Sequence, residues 1–305
     1  MSLATSRTPR PLAASLGVVL DLLFGEPASS LHPVVHFGRA MDAFERRHYQ
    51  DARAPGVLHA LSGTLLGATA GVVLRSTAWA TGLAIGGRSL WGAADDVASA
   101  LSRGDLEGAR ALLPNLVGRD PSELDEEEIV RAVIESVAEN TVDAIVAPLL
   151  WAAVAGAPGA LGYRAVNTMD AMVGHHSERY EHYGWASARL DDVANWLPAR
   201  TAAVLVAAVR PKTAREVRLA VSTQASAHPS PNGGVVEAAF AGALGVRLGG
   251  RNRYGDRVED RPILGNGHAV RVDDIKDAIR LSRDIVTFLA AILAFIGLAQ
   301  CWRRR

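Results

Sequence analysis

The sequence predicts a mainly α, polytopic integral membrane protein with several transmembrane helices and polar helical loops. Three observations carry this expectation. Mean hydropathy is positive (+0.12) and 49% of the 305 residues are hydrophobic, yet 21% are charged, so apolar spans must alternate with polar segments. Several apolar runs approach the roughly 20 residues that a bilayer span needs. The polar segments place their charges at helical spacing, and neither a strand-rich block nor an internal repeat is visible.

Residues 11–24 are apolar except for Asp21 and short for a span; they follow a basic stretch without a clear cleavage site and read as a retained anchor or a buried helix. Residues 55–74 carry no ionisable group but His59 and fit a span well. The next stretch, 76–94, reads with 55–74 as a helical hairpin or as one long span with Arg75 at its edge. Within 94–140 charges alternate, Pro114 and Pro121 interrupt, and Ser122 is the expected N-cap of a helix with an acidic first turn. Residues 144–163 are uncharged until Tyr163, but Pro148, Pro158 and several glycines predict a broken or re-entrant helix. A further short span is expected over 196–210, and 211–284 is the longest polar region. The cleanest span is 285–302; Arg303, Arg304 and Arg305 after it predict a cytoplasmic C-terminus in the inner or plasma membrane. The whole chain is expected to form a single membrane domain.

Lys and Arg total 32, as do Asp and Glu, which argues against nucleic acid as a partner. Only Lys212 and Lys276 are lysines, so anion binding must rest on guanidinium groups and backbone N–H groups. A GC-rich genome produces the same bias. Cys301 is the single cysteine, which excludes an intrachain disulfide and a cysteine metal site.

Five constellations could carry chemistry. Arg131, Glu135, Glu139 and Asp143 are each four residues apart and share one face of a continuous helix, where three carboxylates require a cation or an arginine. The alternative is a solvated face with Arg131 pairing Glu135. Asn167, Thr168 and Asp170, which follow Arg164, supply amide, hydroxyl and carboxylate oxygens suited to Mg²⁺. His175 and His176 follow; adjacent residues point apart, and no third zinc ligand is evident. Arg189, Asp191, Asp192, Asn195 and Arg200 form a third set, which also reads as a helix cap with salt bridges. The turn His228-Pro229-Ser230-Pro231-Asn232-Gly233-Gly234 feeds an Ala-rich helix and is an expected anion site. Gly249-Gly250 with Arg251, Arg253, Tyr254 and Gly255 reads as a turn extending it. Near the N-terminus, His32 and His36 are four apart with Pro33 between them, and Arg39 follows.

Several strings together resemble the CobD/CbiB family of cobalamin biosynthesis. They are Asp21 with Gly25-Glu26-Pro27 and His32-Pro33-Val34, residues 135–143 (ESVAENTVD), Pro148-Leu149, residues 163–174 (YRAVNTMDAMVG), residues 188–195 (ARLDDVAN), and residues 228–234 (HPSPNGG) with Glu237-Ala238-Ala239. The resemblance runs in order from about Leu20 to Gly267, with small departures at Glu26, where the family more often has Asp, and at Ala171, where it more often has Ser. It implies a membrane adenosylcobinamide-phosphate synthase, an amide ligase that joins adenosylcobyric acid to (R)-1-amino-2-propanol O-2-phosphate or an ethanolamine phosphate relative, using ATP and Mg²⁺. The corrinoid is then substrate rather than cofactor. Beyond the lipid bilayer, expected partners are a second copy of the chain or other membrane enzymes of the pathway.

Chemistry assigns the candidate roles. Glu135, Glu139, Asp143, Asp170 and Asp192 are the candidate catalytic carboxylates. His32, Arg39, Arg164, Asn167, Arg189, Arg200, His228, Ser230, Asn232, Gly233 and Gly234 are expected to hold substrate or phosphate. Glu139, Asp143, Asp191, Asp192 and Asn195 are the expected Mg²⁺ ligands. The rival readings are a prenyl- or phosphatidyl-type transferase, suggested by Asp191-Asp192 with Asn195, and a non-enzymatic AmpE-like sensor or a transporter.

Overall fold

The computed structural model describes residues 8–27, 32–118, 120–175, 177–254 and 257–304, and of residues 251–254 and 257–260 the backbone only. The helices are α1 (Arg10–Phe24), α2 (Pro33–His48), α3 (Arg53–Leu74), α4 (Thr77–Ala84), α5 (Gly87–Ser102), α6 (Leu106–Leu112) and α7 (Glu126–Thr141). They continue as α8 (Ala147–Ala155), α9 (Ala157–Met169), α10 (Trp185–Val209), α11 (Ala214–Thr223), α12 (Gly233–Leu244) and α13 (Val272–Arg303). One antiparallel hairpin, β1 (Leu248–Tyr254) with β2 (Arg257–Leu264), interrupts the helices.

The chain is therefore mainly α, as its composition predicts. Three helical stretches, Arg53–Leu74, Glu126–Ala155 and Val272–Arg303, are long and apolar enough to cross a membrane. The apolar run 144–163 is not one helix: Gly156, at φ 71°, ends α8 and starts α9. The stretch 76–94 divides into α4 and α5, and the eight residues of α4 rise only about 12 Å, less than half a bilayer core. The N-cap before α7 is Asp125 rather than Ser122. Asp125 accepts the Glu128 N–H at 2.9 Å, and Glu128 accepts the Asp125 N–H at 3.0 Å, a reciprocal cap that Ser122 cannot make.

Two compact units emerge: residues 1–86, 144–194 and 289–305, and residues 87–143 and 195–288. In the first unit α3 packs along α9 through glycine. The buried face of α3 is Gly56, His59, Ala60, Gly63, Gly67 and Gly71. A Cβ at Gly63 would run into Met169, one at Gly67 would stand 2.6 Å from the Leu161 carbonyl and from Ala165 Cβ, and one at Gly71 would strike the Ala157 backbone. Small residues let the two backbones approach where no water drives association. The opposite face of α3 exposes Leu58, Leu61, Leu65, Val72 and Val73, which suits lipid. In the second unit α12 is buried on nearly all sides, which explains its apolar composition. Thr141 donates to Ser282 at 2.7 Å and Trp91 donates to the same hydroxyl at 2.9 Å, tying α7 and α5 to the start of α13.

Candidate functional site

The first unit gathers an acidic site on α9 and α10. Arg164 and Asn167 project from α9, and Asp170 opens a π-helical turn, Asp170–Gly174. Such turns recur at functional sites because they re-aim side chains out of the 3.6-residue register. Arg189, Asp191 and Asp192 come from the part of α10 within this unit. Arg164 Nη1 donates to Asn167 Oδ1 and Asn167 Nδ2 donates to Asp191 Oδ1, both at 3.4 Å. Arg189 Nη1 donates to Asp192 Oδ2 at 3.1 Å. Burial, then the charges of Asp191 and Asp192, push the Asp170 carboxyl up to about 7. Burial also raises Asp192, with Arg189 opposing it. A Cβ at Gly174 would collide with Asp170 Oδ1 and make that carboxylate turn aside. Three carboxylates and one amide offer only oxygen donors here, the class that Mg²⁺ prefers, but the carboxylates do not converge closely enough to ligate one ion directly, so a Mg²⁺ would be held largely through water.

The second unit builds a different cluster from α7, the turn before α12, and α12 itself. Glu135, Glu139, His228 and Glu237 meet there with Arg131 and Arg261. Glu135 is buried; its Oε1 accepts the Gly249 N–H at 2.8 Å and lies 4.0 Å from Arg131 Nε. The Gly249-Gly250 pair, expected as a turn, is the bulged start of β1. Both residues have positive φ, 81° and 88°, and the bulge sets the Gly249 N–H on Glu135. Glu139, His228 and Glu237 each offer one ligand atom, all within 4.8 Å of one another. His228 Nε2 is 3.4 Å from Glu237 Oε1. Burial pushes the Glu237 carboxyl well above its usual range, and Glu139 and Glu135 push the same way; burial lowers His228.

The 228–234 turn is held from within. Ser230 Oγ accepts the N–H groups of Gly233 at 3.0 Å and Asn232 at 3.3 Å. Arg200 donates to Asn232 Oδ1 at 3.0 Å and to the Pro231 carbonyl at 3.3 Å. Gly234 packs so tightly on His228 that a Cβ would overlap its side chain.

The other predicted residues lie on several elements. His32 caps α2, its Nδ1 accepting the Val34 N–H at 3.2 Å, with Glu26 at 3.7 Å from Nε2. Arg39 is exposed on α2. Asp143 lies in a π-helical turn, Val142–Val146, outside the regular helix that carries Arg131, Glu135 and Glu139. Asn195 is buried on α10 in the second unit, whereas Asp191 and Asp192 belong to the first. His175 sets its ring edge against Tyr180. His176 and Gly255 lie outside the described residues, and Arg251, Arg253 and Tyr254 are backbone positions on β1. The sequence reading missed Glu237 and Arg261 as site residues. Glu237 is the only charge in α12, a signal that was available. It also missed the buried Glu45, which accepts from Arg179 at 2.9 Å and Tyr180 at 3.1 Å.

The family described as CobD/Cbib protein matches residues 14–282. The chain belongs to this family. Its relatives in the CobD/Cbib family include the cobalamin biosynthesis protein CobD of Mycobacterium tuberculosis, 47% identical with 99% of each chain covered. That of Geobacter metallireducens is 45% identical over 82% of this chain and 84% of the relative. That of Rhodobacter capsulatus is 39% identical, covering 92% and 96%. No solved structure matches the chain. The acidic site of the first unit and the cluster of the second both fall within the stretch that matches the CobD/Cbib family.

Proposed function

We propose that this chain acts in cobalamin biosynthesis as a multi-pass enzyme of the cell membrane with a cytoplasmic C-terminus. It joins a carboxylate of adenosylcobyric acid to the amine of (R)-1-amino-2-propanol O-2-phosphate, or of ethanolamine phosphate, at the expense of ATP. The observation that carries the reading is the oxygen-donor site of Asn167, Asp170, Asp191 and Asp192 flanked by Arg164 and Arg189, in a chain whose relatives are named cobalamin biosynthesis proteins.

A carboxylate is a poor acyl donor because its leaving group is oxide. Transfer of the γ-phosphoryl group of ATP to that carboxylate gives an acyl phosphate and ADP. Attack by the amine then forms the amide, releases inorganic phosphate and frees one proton. Asp170, Asp191 and Asp192 would hold Mg²⁺, which when bound neutralises phosphate charge. Arg164 and Arg189 would grip phosphate oxygens in exchange for their side-chain partners Asn167 and Asp192. Asp192, whose carboxyl pKa is raised by burial and lowered by Arg189, is the carboxylate chosen for removal.

Asp192→Asn tests the reading. Purified protein in detergent is assayed for ADP release that depends on both adenosylcobyric acid and the amino-alcohol phosphate. The variant should need at least tenfold more Mg²⁺ or lose turnover while keeping its melting temperature. Wild-type turnover at ordinary Mg²⁺ would remove Asp192 from the site.

A further inference from the structure

Glu237 is an unusual residue to find where it is. Its side chain is fully buried in an otherwise apolar helix, and neither carboxylate oxygen meets a hydrogen-bond donor in bonding geometry among the described residues. A buried carboxyl left in that state costs several kcal/mol if ionised, and when protonated it shares its proton with the Glu139 carboxylate. Alanine or valine would fill the same space at no such cost. The carboxyl is aimed at His228 Nε2, 3.4 Å away, and Glu139 closes the third side.

We propose that Glu139, His228 and Glu237 bind one divalent transition-metal ion. Two ligand atoms on one ion at about 2.1 Å, separated by a tetrahedral angle, stand about 3.4 Å apart, which is the spacing already present between His228 and Glu237. The third ligand atom needs only a small inward movement, since all three lie within 4.8 Å. An imidazole with two carboxylates selects the manganese-to-zinc series over Mg²⁺, whose preferred donors are oxygens and water.

The surroundings suit metal ligation. The other ring nitrogen, His228 Nδ1, faces the Ser230 peptide, with the carbonyl at 3.3 Å and the N–H at 3.1 Å. The carbonyl can accept from a protonated Nδ1, which frees the Nε2 lone pair for a metal; this is the usual second partner of a metal-bound histidine. Gly233 keeps the third side open, because a Cβ there would stand 2.9 Å from Glu139 Oε1 and 3.3 Å from His228 Cε1. Arg261 Nη1, 3.5 Å from His228 Nε2, is the competing cation and must turn aside when the ion enters. The site is independent of the amide-forming reaction and of its Mg²⁺, so either can be wrong without the other.

The test measures metal and not turnover. Full-length protein in detergent is stripped with a chelator and titrated with Co²⁺, followed by visible absorption and by elemental analysis after desalting. One Co²⁺ per chain is expected, with ligand-field bands that millimolar Mg²⁺ does not abolish. Glu237→Gln keeps the shape of a neutral carboxyl, so the metal-free variant should melt like the wild type while its Co²⁺ affinity falls at least tenfold. If that variant fails to fold, Glu139→Gln, at the half-exposed side of the cluster, serves in its place with the same expected loss. No stoichiometric Co²⁺ on the wild type, or equal affinity in the wild type and a folded variant, overturns the proposal.

Discussion

Gly233 leaves the space that the Glu139 carboxylate occupies: a Cβ at residue 233 would stand 2.9 Å from Glu139 Oε1. The atom in the way is the far end of a flexible side chain, so Gly233→Ala should fold. What it must do is push Glu139 out of its present position. The expected result is a melting temperature within a few degrees of the wild type and a Co²⁺ affinity reduced about tenfold or more, equivalent to at least 1.4 kcal/mol. A Co²⁺ titration beside a melting curve in detergent checks it. Unchanged Co²⁺ affinity would make Gly233 a helix-start residue only.

The Gly249 bulge makes a stability prediction. Its φ is 81°, and a Cβ would collide with the Pro262 carbonyl, which is backbone and cannot yield. Gly249→Ala should therefore cost about 1–3 kcal/mol and weaken the Gly249 N–H bond to Glu135. Chemical denaturation with a probe in the second unit measures the loss, and an unaffected midpoint would contradict it.

Much of the fold was legible in the sequence, because hydropathy and helical charge spacing report burial and lipid exposure directly. The apolar runs 55–74 and 285–302 fall inside α3 and α13. The glycines of α3 went unread although Gly63, Gly67 and Gly71 recur at four-residue spacing, the signature of close helix contact in a bilayer. The hairpin was missed because Gly-Gly signals a turn, and only partners distant in sequence, Glu135 and the 257–264 strand, turn that pair into a bulge. For the sites, strings within one segment were readable and their meetings were not. Asp170 and Asp191 are 21 residues apart by subtraction, and Glu139 and Glu237 are 98 apart; no local pattern announces either encounter.

The glycine face of α3 itself is testable. Gly67→Ile places a branched side chain against the Leu161 carbonyl and Ala165. Overpacking of this kind costs about 1–3 kcal/mol, and here neither backbone can move away. Leu65→Ala, on a side chain that is 65% exposed and suited to lipid, should be nearly silent. Yield and monodispersity in detergent should fall for the first and not for the second.

Asp170 predicts a pH dependence with a definite sign. Its carboxyl titrates near 7 in the folded chain against an ordinary value of 3.8. Below about pH 4 both states hold the proton and the group contributes nothing to stability. Between those values the unfolded chain releases the proton and the folded chain keeps it, so stability falls as pH rises, levelling off above about 7. Asp170→Asn mimics the neutral acid. In chelator, its melting temperature should match the wild type near pH 4 and exceed it by about 2–4 °C or more at pH 8. Equal melting temperatures at both pH values would show that Asp170 is not held protonated by its neighbours.

The most direct measurement is the mass of the corrinoid product. Purified protein in detergent is incubated with adenosylcobyric acid, (R)-1-amino-2-propanol O-2-phosphate and Mg-ATP, and the corrinoid fraction is analysed by mass spectrometry. The reading predicts one new corrinoid, heavier than adenosylcobyric acid by the amino-alcohol phosphate less one water, formed with one ADP and one inorganic phosphate and absent without ATP. Unaltered adenosylcobyric acid with active, folded protein, or a product formed equally well without ATP, would contradict it.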